Sequence, residues 1–330
     1  MPKAVIDTTV LVSAFLRLNV GGVSAELLHF AERGSFALFL SLQILDELKR
    51  VLLTKRHLRA RYQYDDAAAL EITLTGPEIE FEDGRIVAVC GAQFDLLLGQ
   101  RRPESSVFLV PPGERLKFGA RRRGARAYLA VAGGVAVPPL LGSRSTHLSS
   151  RMGGHQGRAL VAGDRIPLGE WSKDTSHVRR AAERLDVALP SGDARLRILP
   201  GAQADRFRPH ALTELESARF QISRDSNRMG YRLEGSVLDV PNDRDPLSTP
   251  TVLGALQVPP AGQPILLMAD RQTTGGYRTL ATVISADIGL AGQLAPGDTV
   301  SFQVCSRREA LGALIAQERA LMSAGLGSRL

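Results

Sequence analysis

The densest run of chemically able side chains in this 330-residue sequence is Asp270-Arg271-Gln272-Thr273-Thr274, followed by Gly275-Gly276. An arginine offers a planar fork of donors that matches a carboxylate. An amide and two hydroxyls can read another amide or hold a carboxylated intermediate, and adjacent glycines let the backbone approach a ligand closely. Read as a site, Asp270, Arg271, Gln272, Thr273 and Thr274 are the catalytic candidates, and Gly275 and Gly276 line the bound molecule. The same residues can also make a β-turn whose hydroxyls bond the backbone. A second candidate, Ser143-Arg144-Ser145-Thr146, sets hydroxyls around one cation and suits a small anion such as a carboxylate, bicarbonate or phosphate. Its alternative is a turn that uses Ser and Thr to satisfy backbone groups. A third pairs Arg228 with Tyr231, which can orient a planar amide, unless Tyr231 is a core ring with a satisfied hydroxyl.

Other chemistries find little in the chain. The six histidines (His29, His57, His147, His155, His177 and His210) include no pair at metal-ligand spacing. There is no Gly-x-Ser-x-Gly elbow and no Gly-x4-Gly-Lys-Ser/Thr phosphate loop. The stretch 124–134 reads as strand plus hairpin, not as a strand-to-helix phosphate cradle. Two cysteines, Cys90 and Cys305, are too few for a disulfide framework or a Cys-built zinc site, which fits a reduced, cytoplasmic setting. Cys90 lies mid-strand and is expected to pack as a small hydrophobe.

These candidates must be positioned by a mainly β body. Period-two alternation runs through 71–81, 85–90, 126–131, 194–199 and 299–304. Turn signals fall between such runs at Asp83-Gly84, Pro112-Gly113, Gly133-Gly134, Gly163-Asp164, Ser191-Gly192 and Pro296-Gly297-Asp298. Past residue 64 only 177–185, 211–217 and 307–322 read as helical. The first sixty residues follow another grammar. A β-branched strand from Ala4 leads into a short helix, Ser24 caps a helix to Arg33 with Gly34 as its stop, 36–40 is a second strand, and Ser41 caps a helix to about Thr54. Strand alternating with helix predicts a parallel sheet. The change of pattern predicts two parts, 1–62 and 63–330.

Composition narrows the function classes. With 44% apolar and 23% charged residues the chain is neither disordered nor fibrous. The start lacks a signal-peptide pattern, and the uncharged run 127–143 is broken by Gly133-Gly134 and Pro138-Pro139, so no membrane span is expected there. The net charge is +7, yet 101–130 alone holds eight basic residues and two acids. One local arginine-rich stretch with few aromatics reads as a solvated turn before it reads as a nucleic-acid surface.

The opening segment resembles the start of a PIN domain, through Val5-Ile6-Asp7-Thr8-Thr9-Val10-Leu11-Val12-Ser13 and the helix holding Asp46-Glu47. In that family, acids at these places share a divalent metal, which suits hard oxygen ligands. Asp7 and Glu47 map onto the first two. Thr9 replaces the usual Asn and the later acids have no counterpart, so these two are read as vestigial, with no metal held and no nuclease activity.

From about Asp66 to Glu309 the chain resembles the biotin-dependent carboxyltransferase family, also called the allophanate hydrolase subunit 2 family. The matching blocks, in order, are 69–77, 124–134, Leu141-Gly142-Ser143-Arg144-Ser145-Thr146, 153–160, Ser226-Asn227-Arg228-Met229-Gly230-Tyr231-Arg232-Leu233, and 262–277. Members include the C subunit of 5-oxoprolinase, the Kip inhibitor antagonist and part of urea carboxylase. The resemblance implies two β-rich, cyclophilin-like lobes and a place in a 5-oxoprolinase-type complex. Such a complex opens the lactam of 5-oxoproline to glutamate using ATP, with ATP or carboxybiotin handled through companion subunits and no cofactor bound by this chain alone. Alternatives are a urea- or allophanate-type amide carboxyltransferase, and a non-catalytic regulatory binding protein. The family's usual opening, with a Gln-Asp-x-Gly-Arg motif and a Gly-rich stretch, is replaced here by the PIN-like piece.

Overall fold

The computed structural model describes residues 3–4, 37–38, 69–140, 143–171, 188–240 and 248–326. The chain divides into two compact units, Met1–Ala67 and Ala68–Leu330. In the first, β1 (Lys3–Ala4) pairs in parallel with β2 (Ala37–Leu38), the arrangement that alternating strand and helix predicts. Asp7, Glu47 and the helices expected within 24–54 lie outside the described residues, as do Leu141-Gly142 and the helix expected over 177–185.

The second unit is mainly β and has two cores. Its first lobe is a five-stranded sheet of β3 (Leu70–Thr73), β4 (Glu78–Glu80), β5 (Arg85–Leu98), β6 (Val107–Val110) and β7 (Arg115–Val131), ordered β3-β7-β5-β6 with β4 also on β7. The two long strands run well past the segments their alternation predicts. On β7, Leu116 and Phe118 are buried, but beyond Gly124 the buried set becomes Ala125, Ala127 and Leu129. On β5, Val87 is buried before Gly91, and Ala92 and Leu98 after it. Each strand thus changes parity at a glycine with positive φ, +88° at Gly91 and +70° at Gly124, and the register between them shifts there. An extra residue flips which side chains face inward. Regular alternation therefore stops at Cys90 and resumes at Arg126.

Two expectations are corrected. The arginine-rich stretch is not a turn: six of its eight basic residues lie on β7, with Arg115 paired to Glu78 and Glu80 and Arg122 to Asp95. Cys90 is mid-strand, but its side chain is exposed. Val87 and Val89 take the inward positions of that part of β5, so the pleat sends Cys90 out.

The second lobe is a closed barrel of β8 (Asp193–Pro200), β9 (Phe220–Ile222), β10 (Gly230–Gly235), β12 (Ala255–Val258), β13 (Ile265–Leu267), β15 (Arg278–Val283) and β16 (Thr299–Val304). Its order is β10-β13-β12-β15-β8-β16-β9, while β11 (Thr249–Pro250) and β14 (Thr274–Gly275) form a small separate ladder. Leu196, Ile198, Leu256, Leu266 and Phe302 are fully buried inside it. Phe220 and Phe302 lie with ring centroids 6.1 Å apart. Helix α1 (Ala211–Ser217) adds Leu215 to this core. The short α2 (Ile288–Ala291) precedes β16, and α3 (Arg307–Leu326) ends the described chain. Among the described residues no helix is long and apolar enough to cross a membrane.

One side chain ties the lobes together. Gln293 Oε1 accepts from the backbone N–H groups of Ala125 and Arg126, both at 2.9 Å, and its Nε2 donates to Arg126 O at 2.9 Å. Gly124 permits this approach: a Cβ there would stand 2.7 Å from Gln293 Oε1 and 3.1 Å from Leu189 Cδ2.

Candidate functional site

The antiparallel pairing of β10 with β13 sets Tyr231 opposite Leu266 and Gly230 opposite Leu267. The ladder continues beyond both strand ends, because Met268 N–H donates to Met229 O and Asp270 N–H to Arg228 O, each at 2.9 Å. Register alone therefore brings two of the three sequence candidates together. Arg228 Nε donates to Asp270 Oδ2 at 3.0 Å.

Beyond Asp270 the chain is paired in the small ladder. Thr249 pairs with Gly275 and Pro250 with Thr274. Thr251 N–H donates to Thr273 O at 3.0 Å, and its hydroxyl to Gln272 O. Gln272, Thr273 and Thr274 are exposed and Arg271 is half-buried. Arg271 Nε is shielded from solvent with no hydrogen-bond partner, a donor that an incoming acceptor would satisfy. Gly275 lies between two amide nitrogens. A Cβ added there would meet Gln257 Nε2 at 3.0 Å and Gln272 Nε2 at 3.3 Å. Buried Gln257, on β12, also donates from Nε2 to Tyr277 O at 3.2 Å. Gly276 follows, half-buried, before β15 begins.

The first lobe adds residues that the sequence did not mark as site candidates. Cys90, Tyr128 and Glu71 lie directly opposite one another across β5, β7 and β3. Both Glu71 carboxylate oxygens accept from Arg228 Nη1 at 2.8 Å. Thr73 Oγ1 donates to Glu71 Oε1 at 3.0 Å, and Arg126 Nε stands 3.7 Å from the same oxygen. Partial burial works to raise the Glu71 pKa. The Arg228 hydrogen bonds and charge, with Thr73 and Arg126, outweigh it and hold the carboxyl below its ordinary 4.5. The Tyr128 hydroxyl moves the other way, raised by burial and then by the charge and hydrogen bond of Glu71. Period two did carry a signal for Glu71 and Thr73, which share one face of β3 opposite buried Ile72. Their partner across the seam had none.

Tyr231 is buried, 2% exposed. Its Oη accepts from Arg126 Nη1 at 2.9 Å and lies 3.4 Å from Leu294 O. The structure thus places it as a core ring with a satisfied hydroxyl. Ser143, Arg144, Ser145 and Thr146 sit in a separate loop. There Ser143 Oγ accepts from Ser145 N–H at 3.1 Å, and Arg144 Nε donates to Val137 O at 3.0 Å. No described hydrogen bond joins them to the Asp270–Gly276 turn. Among the described residues no group of three His, Cys, Asp or Glu side chains converges as a metal site.

The turn is therefore rich in donors and poor in free bases. A guanidinium, an amide and hydroxyls follow one another in the chain next to a carboxylate already engaged by Arg228, residue types suited to holding an anion or a developing oxyanion.

The carboxyltransferase domain family, subdomains A and B, matches residues 62–304. The PIN domain family matches 3–89, and residues 70–89 of that stretch run through β3, β4 and the start of β5. The chain is homologous to the C subunit of 5-oxoprolinase. It is 40% identical to that of Escherichia coli K12 over 77% of this chain and 80% of the relative. It is 34% identical to that of Haemophilus influenzae over 74% and 78%. The solved urea amidolyase of K. lactis superposes with a TM-score of 0.69 at 26% identity, over 84% of this chain but only 18% of that much longer one. With a match over most of its length, this chain belongs to the carboxyltransferase domain family, subdomains A and B.

Proposed function

We propose that this chain is a subunit of a 5-oxoprolinase-type complex, which opens the lactam of 5-oxoproline to glutamate with ATP. The observation that carries this reading is the 40% identity across four fifths of the C subunit of a 5-oxoprolinase. A lactam amide is resonance-stabilised, so activating its oxygen by phosphorylation or its nitrogen by carboxylation is chemically reasonable. ATP and any carboxybiotin belong to companion subunits in this reading. Arg271 takes the substrate carboxylate, for which its unpartnered Nε is suited, while Gln272, Thr273 and Thr274 orient the amide and stabilise charge that develops on its oxygen. The same reading places the complex in the cytoplasm, where ATP is available.

Reconstitution tests it. Purified companion subunits plus this chain should release phosphate from ATP in response to 5-oxoproline, and Arg271→Ala should abolish that response while the complex still assembles. A wild-type complex that forms and shows no such response sinks the catalytic reading and leaves a regulatory binding role. The superposition on urea amidolyase favours one second reading, an amide carboxyltransferase, which the same assay detects if urea replaces 5-oxoproline as the stimulating substrate.

A further inference from the structure

We propose that Glu71 and Arg228 form a latch between the lobes that positions the Asp270–Arg271 turn, so that Arg228 acts through Asp270 and not as a ligand for the substrate. Only the kinetic arm of the test below rests on the function proposed above.

Arg228 is committed on two sides. Its Nη1 spans both oxygens of Glu71, from the first lobe, at 2.8 Å. Its Nε holds Asp270 Oδ2, from the barrel lobe, at 3.0 Å, and its backbone carbonyl receives the Asp270 N–H at 2.9 Å. Asp270 is thus gripped by side chain and main chain of one residue, and the next residue is Arg271. A guanidinium suits this task because its nitrogens are fixed in one plane, so the direction of Glu71 determines the direction in which Nε presents itself to Asp270.

Glu71 is itself held in place. Thr73 Oγ1, the Tyr128 hydroxyl and the nearby Arg126 guanidinium surround the carboxylate beside Arg228. The side chains are part-exposed, 43% for Arg228, 27% for Glu71 and 25% for Asp270. Such pairs add little to global stability. The lobes do not depend on them either, because Gln293 separately binds the backbone of Ala125 and Arg126. Breaking the latch should therefore leave the fold intact and loosen the turn.

Two measurements on the full chain decide this. In hydrogen exchange, Glu71→Gln should speed exchange of the Asp270 and Arg271 amides several-fold, with the barrel strands unchanged. In the reconstituted complex the same variant should raise KM for 5-oxoproline roughly three- to tenfold, the scale of one partly exposed charge-assisted contact, with kcat within about twofold. Glu71→Asp should recover part of both effects. Arg228→Lys should behave like Glu71→Gln, since one ammonium cannot span both carboxylates with the same geometry. Glu78→Gln, which breaks a surface pair with Arg115 inside the first lobe, should change neither measurement. Unaltered exchange at 270–271 in Glu71→Gln overturns the latch. So does a loss of kcat with KM unchanged, which would make these residues part of the chemistry. If the wild-type complex shows no 5-oxoproline-dependent turnover, the functional reading fails and hydrogen exchange still decides the latch.

Discussion

In the barrel, seven strands of three to eight residues close on themselves. In the first lobe an open sheet is built around strands of 14 and 17 residues. Closure removes edges and gathers one dry core, and the donor-rich Asp270–Gly276 run lies in the connection between β13 and β15. The open sheet keeps a wet face, and there Cys90, Tyr128, Glu71 and Arg126 lie side by side. The two lobes thus divide the work: the closed one carries the donor-rich turn and Arg228, and the open one supplies the Glu71 carboxylate that Arg228 binds. Neither lobe alone contains the complete cluster.

The sharpest way to break this contrast is to empty the barrel. Phe302→Ala should cost about 3–5 kcal/mol, the usual loss for a buried phenylalanine. Urea unfolding followed by circular dichroism measures it. Trp171, the single tryptophan, lies 6.0 Å from the Arg85 guanidinium of β5, so its fluorescence reports the first lobe in the same experiment. Coincident transitions mean that the lobes unfold together, and an unshifted tryptophan transition would show the open lobe standing without the barrel.

A smaller effect should come from the joint. Gln293→Ala removes three hydrogen bonds and leaves the Ala125 and Arg126 N–H groups without a partner, at a cost of about 1–3 kcal/mol. If the two optical transitions separate in this variant, the joint couples the lobes. If they stay together, the coupling lies elsewhere.

Acid should weaken the seam. The Glu71 pKa is lowered on folding, so its contribution is present above the ordinary 4.5 and is lost as pH falls through the lower folded value. The groups facing it are Arg228, Arg126, Thr73 and Tyr128, with Asp270 beyond Arg228. The protection of the Asp270 amide, taken relative to its intrinsic exchange rate at each pH, should fall in the wild type as pH drops through the lowered Glu71 value and show a weaker dependence on pH in Glu71→Gln. Equal pH dependence in both proteins would remove Glu71 as the cause.

The smallest effect is expected on the outer face of β7. Arg122 is exposed beside Asp95, and Arg122→Ala should leave the unfolding midpoint unchanged within measurement error, as isolated surface pairs usually do. A clear loss would mean that the arginine-rich strand does more than pair with its neighbours.

The sequence by itself determined the mainly β body, helix 211–217, strand 299–304, the turn signals and the family, because alternation and local turn chemistry depend on residues close together in the chain. It also marked the Asp270–Gly276 turn. The full lengths of β5 and β7 were hidden because positive-φ glycines at 91 and 124 reverse the alternation, so one strand reads as a short segment followed by noise. Only the tertiary structure decided which charges meet. Arg228 and Glu71 are 157 positions apart, Gln293 and Ala125 168, and no local pattern records a contact that exists only once two lobes have closed on each other. It likewise drew Tyr231 into the core, with its hydroxyl bonded by Arg126, and bonded Ser143 and Arg144 within their own loop. Residue types alone state what a side chain can bind, and packing states what it has already bound.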